Sequence, residues 1–170
     1  MTSAMETGRP LRRRQVTYQT LEDFRKDAEW LARQEVDTAG RWSYGQILQH
    51  LAMSLNCAFD GFGYRASWFS RRFVAPLIKN TMITRRMPAG IVLPPTARGM
   101  IPEPIAVAPA LENLRTALSR LENETPQAAH PFLGRLASQE WVSLTLRHAE
   151  LHMSFVVPRR SNDTDTLPEN

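Results

Sequence analysis

A single cysteine, Cys57, stands among 170 residues, which excludes an internal disulfide framework and suits a reducing compartment. Long apolar runs are missing too. The longest uncharged stretch, Trp42 to Phe59, carries Ser, Gln, His and Asn and is too polar for a membrane span. Arg12-Arg13-Arg14 is followed by "QVTYQTLEDFRKD" instead of an apolar segment, so the twin-arginine export reading is rejected. No internal repeat and no strong strand pattern is present. With 42% hydrophobic residues the chain is long enough for one domain with a sizeable core, and a soluble, cytoplasmic protein is expected. The expected organisation is a flexible arm over residues 1–16, a domain over 17–158 and a disordered tail over 159–170.

Acidic residues are absent between Asp60 and Glu103, where seven basic residues lie: Arg65, Arg71, Arg72, Lys79, Arg85, Arg86 and Arg98. The net charge of +4 therefore hides a basic middle within an otherwise slightly acidic chain. Such a middle attracts an anionic ligand or surface, or else is a set of solvated loop arginines. In residues 64–86, Trp68, Phe69, Phe73, Val74, Leu77 and Ile78 alternate with basic residues, as in interfacial helices. A short helix packed on the body with its arginines in water explains the same pattern. The expectation adopted is that there is no nucleic-acid or membrane partner.

Four segments carry helical signals. Thr20 with Glu22 and Asp23 starts a helix whose Leu21, Phe24, Ala28 and Leu31 recur at spacings of three and four, predicting Leu21 to Val36. Ser43 and Gln46 match a capping box, and Ile47, Leu48, Leu51, Leu55 and Phe59 continue that helix to Asp60. Leu111, Leu114, Ala117, Leu118 and Leu121 mark a third helix, with Pro109 suited to its first turn. Ser138 is the expected cap of the last, in which Trp141, Leu144, His148, Leu151 and Phe155 recur before Pro158. Between the second and third helices, residues 67–82 predict a shorter, proline-interrupted helix, and residues 87–109 are too proline-rich for regular structure. An all-α, four-helix bundle with a long crossover between the second and third main helices follows.

The chemistry concentrates in "LRHAELH". On a helix, residues four apart differ by about 40° around the axis and about 6 Å along it, so His148 and His152 either converge on one ion or share a core face with hydrogen-bond partners. Glu150 lies on the opposite side of that helix, so it cannot act as the base of the zinc-peptidase signature HExxH. In "WSYGQILQHLA", His50 is a candidate third ligand or a satisfied core histidine, beside Ile47, Leu51 and Ser54. Gln46, one turn earlier, is placed to orient an imidazole or a metal-bound water. Cys57 is too far along the helix to join the same ion and reads as a small buried hydrophobe. His130 lines a pocket or makes a local hydrogen bond in its loop. Trp42 and Trp141 are candidate pocket walls, and Arg147 a candidate contact for an anion at the rim.

"RWSYGQILQHLAMSL" together with "HPFLGRLASQEWVSLTLRHAELHMSF" resembles an uncharacterised bacterial family, domain-of-unknown-function family 1569, with the DinB-like fold. The resemblance covers roughly residues 11–157. It implies an antiparallel four-helix bundle and a divalent metal held by His50, His148 and His152. Relatives often read HxxHHLxQF near the end of the last helix; Leu151 and Ser154 stand here for a histidine and a glutamine. Zinc is the expected ion, with nickel or iron also compatible with imidazole. The implied function is that of a metal-dependent transferase or hydrolase. Its metal would activate water or a low-molecular-weight thiol towards a small, perhaps anionic, substrate under the loop at 85–108. The alternative is a non-catalytic binding or stress-response module with a structural or vestigial metal, and homodimerisation is compatible with either.

Overall fold

The computed structural model describes residues 11–90 and 95–159, and its architecture is mainly helical with one small sheet. Helix α1 spans Leu21–Leu31. The Thr20 hydroxyl accepts the Asp23 N–H at 3.1 Å while the Asp23 carboxylate accepts the Thr20 N–H at 2.9 Å, so two of the donors left free at a helix start are satisfied. Phe24, Ala28 and Leu31 face inward. The helix stops five residues before the expected Val36, because the Arg33 and Gln34 N–H groups turn back to Trp30 and Leu31 and tighten the last turn. Val36 instead opens strand β1, Val36–Thr38, which pairs antiparallel with β2, Val156–Pro158.

Helix α2, Tyr44–Asp60, begins with the reciprocal Ser43–Gln46 box and ends at Gly61 with φ of 89°. The predicted proline-interrupted helix is a π-helical turn, Ser70–Val74, running into α3, Ala75–Thr84. Pro76 has no N–H to return to Arg72 and its ring crowds that carbonyl, which accounts for the widened turn just before it. The proline-rich crossover contains a 3₁₀ segment, Pro95–Met100, that its composition did not predict. Helix α4 spans Val107–Asn123, with Pro109 inside the first turn. Helix α5 spans Ser138–Met153; Ala137, not Ser138, is its cap residue, and the Glu140 carboxylate accepts the Ala137 N–H at 2.9 Å.

The core lies where α2 meets α4, the most extensive helix pairing, with α1 and α5 packed beside them. Leu111, Leu114, Ala117, Leu118 and Leu121 are all buried, as are Ile47, Leu48, Leu51 and Leu55 of α2. Of the expected N-terminal arm, residues 1–16, the structure describes residues 11–16. Residues 11–18 dock on the body: the Arg14 N–H donates to the Ser154 carbonyl, the Arg14 guanidinium forks onto Asp27, and Val16 and Tyr18 are buried. Residues 1–10 and 160–170, which hold the rest of the arm and most of the tail, lie outside the described residues. Arg159, the first residue of the expected tail, pairs with Asp37 at 2.7 Å. Among the described residues, no helix is long and apolar enough to cross a membrane.

Candidate metal centre

Helix α2 carries His50 inward on the face of Ile47, Leu51 and Ser54, and α5 carries His148 and His152 on consecutive turns. Packing of α2 against α5 brings the three rings together. One nitrogen from each lies within 4.8 Å of the other two. His50 Nε2 and His148 Nε2 stand 3.3 Å apart. Two nitrogens each about 2.05 Å from one tetrahedral ion keep roughly that separation.

Hydrogen bonds on the far side of two rings fix which nitrogens face inward. The Met100 carbonyl can only accept, so His50 carries its proton on Nδ1 and donates it at 2.7 Å, leaving the Nε2 lone pair free. Ser54 Oγ lies 3.4 Å from His148 Nδ1, where its hydroxyl can accept the ring proton when Nε2 faces an ion. His152 is held by stacking on Trp42, with ring centroids 5.6 Å apart and planes 10° from parallel. These supports keep ligand rings in register, as outer hydrogen bonds do in metal sites.

Burial keeps the cluster neutral. It holds His50 below the usual histidine range, against the opposing pull of the Met100 hydrogen bond. His148 is pushed well down by burial and then by neighbouring His152, His50 and His130; His152 falls to about 3 from burial, with His50 adding to it. At neutral pH three uncharged imidazoles therefore turn a ring nitrogen each towards one point, and a neutral ring can offer a cation the lone pair that a protonated one cannot. The donor set fits a borderline cation such as zinc, nickel or iron.

The cluster opens onto a cavity of about 590 Å³. Its walls are mostly apolar, including Phe24, Leu51, Leu55 and Leu144 from the helices, Phe155 from the turn after α5, and Met82, Met87, Met100 and Ile101 from α3 and the crossover. Ser54, Tyr64 and Thr145 add hydroxyls, and no lysine, arginine or carboxylate lines it among the described residues.

The remaining predicted residues divide. Trp42 and Trp141 line the cavity, the latter with its indole N–H buried and unpartnered. His130 lines it as well and also makes the local bonds: its Nδ1 accepts the Phe132 and Leu133 N–H groups at 3.2 and 2.9 Å, and burial takes it down to about 4. Cys57 is half-buried, 3.9 Å from the Met100 sulfur, and outside the cluster. Gln46 does not reach an imidazole; its amide oxygen serves the helix cap and its nitrogen donates to the Pro102 carbonyl at 3.0 Å. Arg147 is not at the rim. It pairs with Glu150 at 2.8 Å and donates to the Tyr18 carbonyl, on the side of α5 away from the cavity. Opposite charges three apart on a helix were the available signal for that pairing. The Met100 carbonyl went unforeseen, since a backbone acceptor leaves no mark in composition.

A family profile described as "Protein of unknown function (DUF1569)" matches residues 11–159. The chain belongs to that family. The match takes in both ligand-bearing helices, the crossover and the docked segment from residue 11 of this DUF1569 protein. No curated protein and no solved structure matches it significantly.

Proposed function

We propose that His50, His148 and His152 bind a divalent metal ion, zinc first, and that this DUF1569 protein is a metal-dependent enzyme of the DinB-like type. In this reading α1, α2, α4 and α5 are the four helices of a DinB-like bundle and residues 61–106 its crossover. The observation that carries it is the convergence of three neutral imidazoles, two held from behind by Met100 and Ser54, at the wall of a large apolar cavity. A bound dication would supply Lewis-acid activation of a water or a low-molecular-weight thiol.

The chain's own groups supply position and exclusion. Trp42 fixes His152; Met87, Met100 and Ile101 cover the cavity from the crossover; Ser54, Tyr64 and Thr145 are the hydroxyls available to orient a substrate. With Arg147 committed elsewhere and no lysine or arginine in the wall among the described residues, the bound ion would be the one positive charge offered to a small, perhaps anionic, substrate whose remainder meets apolar walls. Protein purified without chelators should carry about one ion per chain, and His148→Ala almost none, by elemental mass spectrometry. Wild-type protein with negligible metal, unchanged by that substitution, overturns the proposal. Transfer assays with model electrophiles test the thiol step, which fails if turnover ignores both thiol and metal.

The lack of a carboxylate in the cavity wall among the described residues favours one second reading, a binding module with a structural ion. A large metal-dependent rise in melting temperature, with no coordination position open to azide or thiols, selects it.

A further inference from the structure

The helix running from Trp68 through the π turn to Thr84 turns only a narrow face to the body. Along the π turn and α3, Ala75 alone is buried, and Lys79 is tied to Glu140 of α5 at 2.7 Å. Its outer face is apolar and large. Trp68 is 71% exposed, Phe69 62%, Phe73 50% and Leu77 80%. The three aromatic rings pack on one another in the open, with Trp68–Phe73 and Phe69–Phe73 centroids 5.8 and 5.0 Å apart. A soluble monomer rarely leaves so contiguous an apolar cluster in water without a use for it.

Cations border the cluster. Arg65 and Arg72 are exposed, Arg72 lies over the Phe73 ring, Arg71 is half-exposed, and none of the three has a carboxylate partner among the described residues. A helix packed on the body would cover these apolar side chains; here the aromatic rings between the arginines are bare, the arrangement of an interfacial helix.

We infer that this face docks the protein on an anionic lipid surface. Aromatic and aliphatic side chains with interleaved arginines match a boundary where rings enter the headgroup layer and guanidinium groups meet lipid phosphates. A second copy of the chain fits poorly. A two-fold contact centred on this helix would set Arg71 and Arg72 against themselves, and residues 61–102 hold no acid to pair them. The same helix carries Met82, and Met87 follows just after its end, so docking sets the covering segment of the cavity at the lipid surface. The inference stands whether or not the cavity holds a metal.

Vesicle flotation tests it with the full chain. Wild-type protein should float with phosphatidylcholine vesicles containing phosphatidylglycerol, weakly with phosphatidylcholine alone, and less as salt rises. The triple variant Trp68→Ser, Phe69→Ser, Leu77→Ser should lower partition about tenfold or more, since each side chain contributes apolar burial. Arg71→Gln with Arg72→Gln should remove the preference for the anionic lipid. All five positions are at least partly exposed, so an unchanged melting curve confirms that each variant folds. Equal flotation of wild type and triple variant overturns the inference. So does absence of wild-type flotation, and a dimer that the triple variant dissolves in sedimentation velocity, or salt-sensitive retention on single-stranded nucleic acid, would then name the occupant instead.

Discussion

At the scale of single residues, the centre depends on groups that hold the imidazoles as much as on the imidazoles. Ser54→Ala removes the hydroxyl behind His148 Nδ1 while leaving all three ligands. Outer-shell losses of this kind typically cost about 10–100-fold in metal affinity. Competition against a chromophoric chelator should show that drop with stoichiometry unchanged, and wild-type affinity would refute the role. The three histidines were legible through the four-residue spacing on α5 and the motif around His50, and Ser54 was visible as the next turn of the same face. Gln46 and Arg147 misled because a side chain has several local claimants, and sequence does not say which one wins. His130 gives a pH prediction. Its folded value of about 4 lies below its ordinary 6.5, so the unfolded chain binds the proton more readily. Its contribution to stability is therefore complete above about pH 6.5 and is lost as pH falls towards about 4. His130→Asn keeps an acceptor for the Phe132 and Leu133 N–H groups but does not titrate. Urea unfolding across that window should lose close to one proton's worth of slope, about 1.4 kcal/mol per pH unit. An identical acid limb in the variant contradicts this.

At the scale of elements, the crossover is seated by α2, and the contact is close enough to demand glycine. A Cβ on Gly45 would run into the Ile105 carbonyl oxygen, one residue before Gln46 ties Pro102. Gly45→Ala improves helix propensity by up to about 1 kcal/mol, but crowding a backbone that cannot retreat costs about 1–3 kcal/mol. The position also lies in the first turn, where propensity counts least, so net destabilisation of about 1–2 kcal/mol is expected in denaturant unfolding. Metal affinity should fall with it, because the same crossover brings the Met100 carbonyl to His50. A stabilised variant would show that the crossover yields freely. Helix positions were readable from periodicity and caps because both signals are local. The strand Val36–Thr38 was not: its partner lies some 120 residues onward at Val156–Pro158, and three half-buried residues carry no period. The 3₁₀ turn at Pro95–Met100 escaped for a related reason, since its two buried residues, Ala97 and Met100, are fixed by the body they face.

At the scale of the whole molecule, α5 serves two tasks on opposite sides. One side offers His148 and His152 to the cavity; the other binds the N-terminal segment through Glu150, which is only 2% exposed. One oxygen of Glu150 accepts both the Arg147 guanidinium and the Tyr18 N–H at 2.8 Å, and Arg147 in turn holds the Tyr18 carbonyl at 2.7 Å. Composition alone makes residues 11–16 look like part of a free arm, because much of what holds this end of the chain, the Ser154 carbonyl at Arg14 and Glu150 at Tyr18, lies more than 130 positions away. Removing the acid takes the carboxylate from a partly buried cation and the acceptor from a buried N–H together. Glu150→Ala should therefore lower stability by about 3–5 kcal/mol. The histidines project the other way, so folded variant at low temperature should still hold the wild-type complement of metal. Unfolding midpoints and elemental analysis on one preparation separate the two effects. Loss of metal at undiminished stability would mean that Glu150 belongs to the centre after all, and that the helix does not keep its two faces apart.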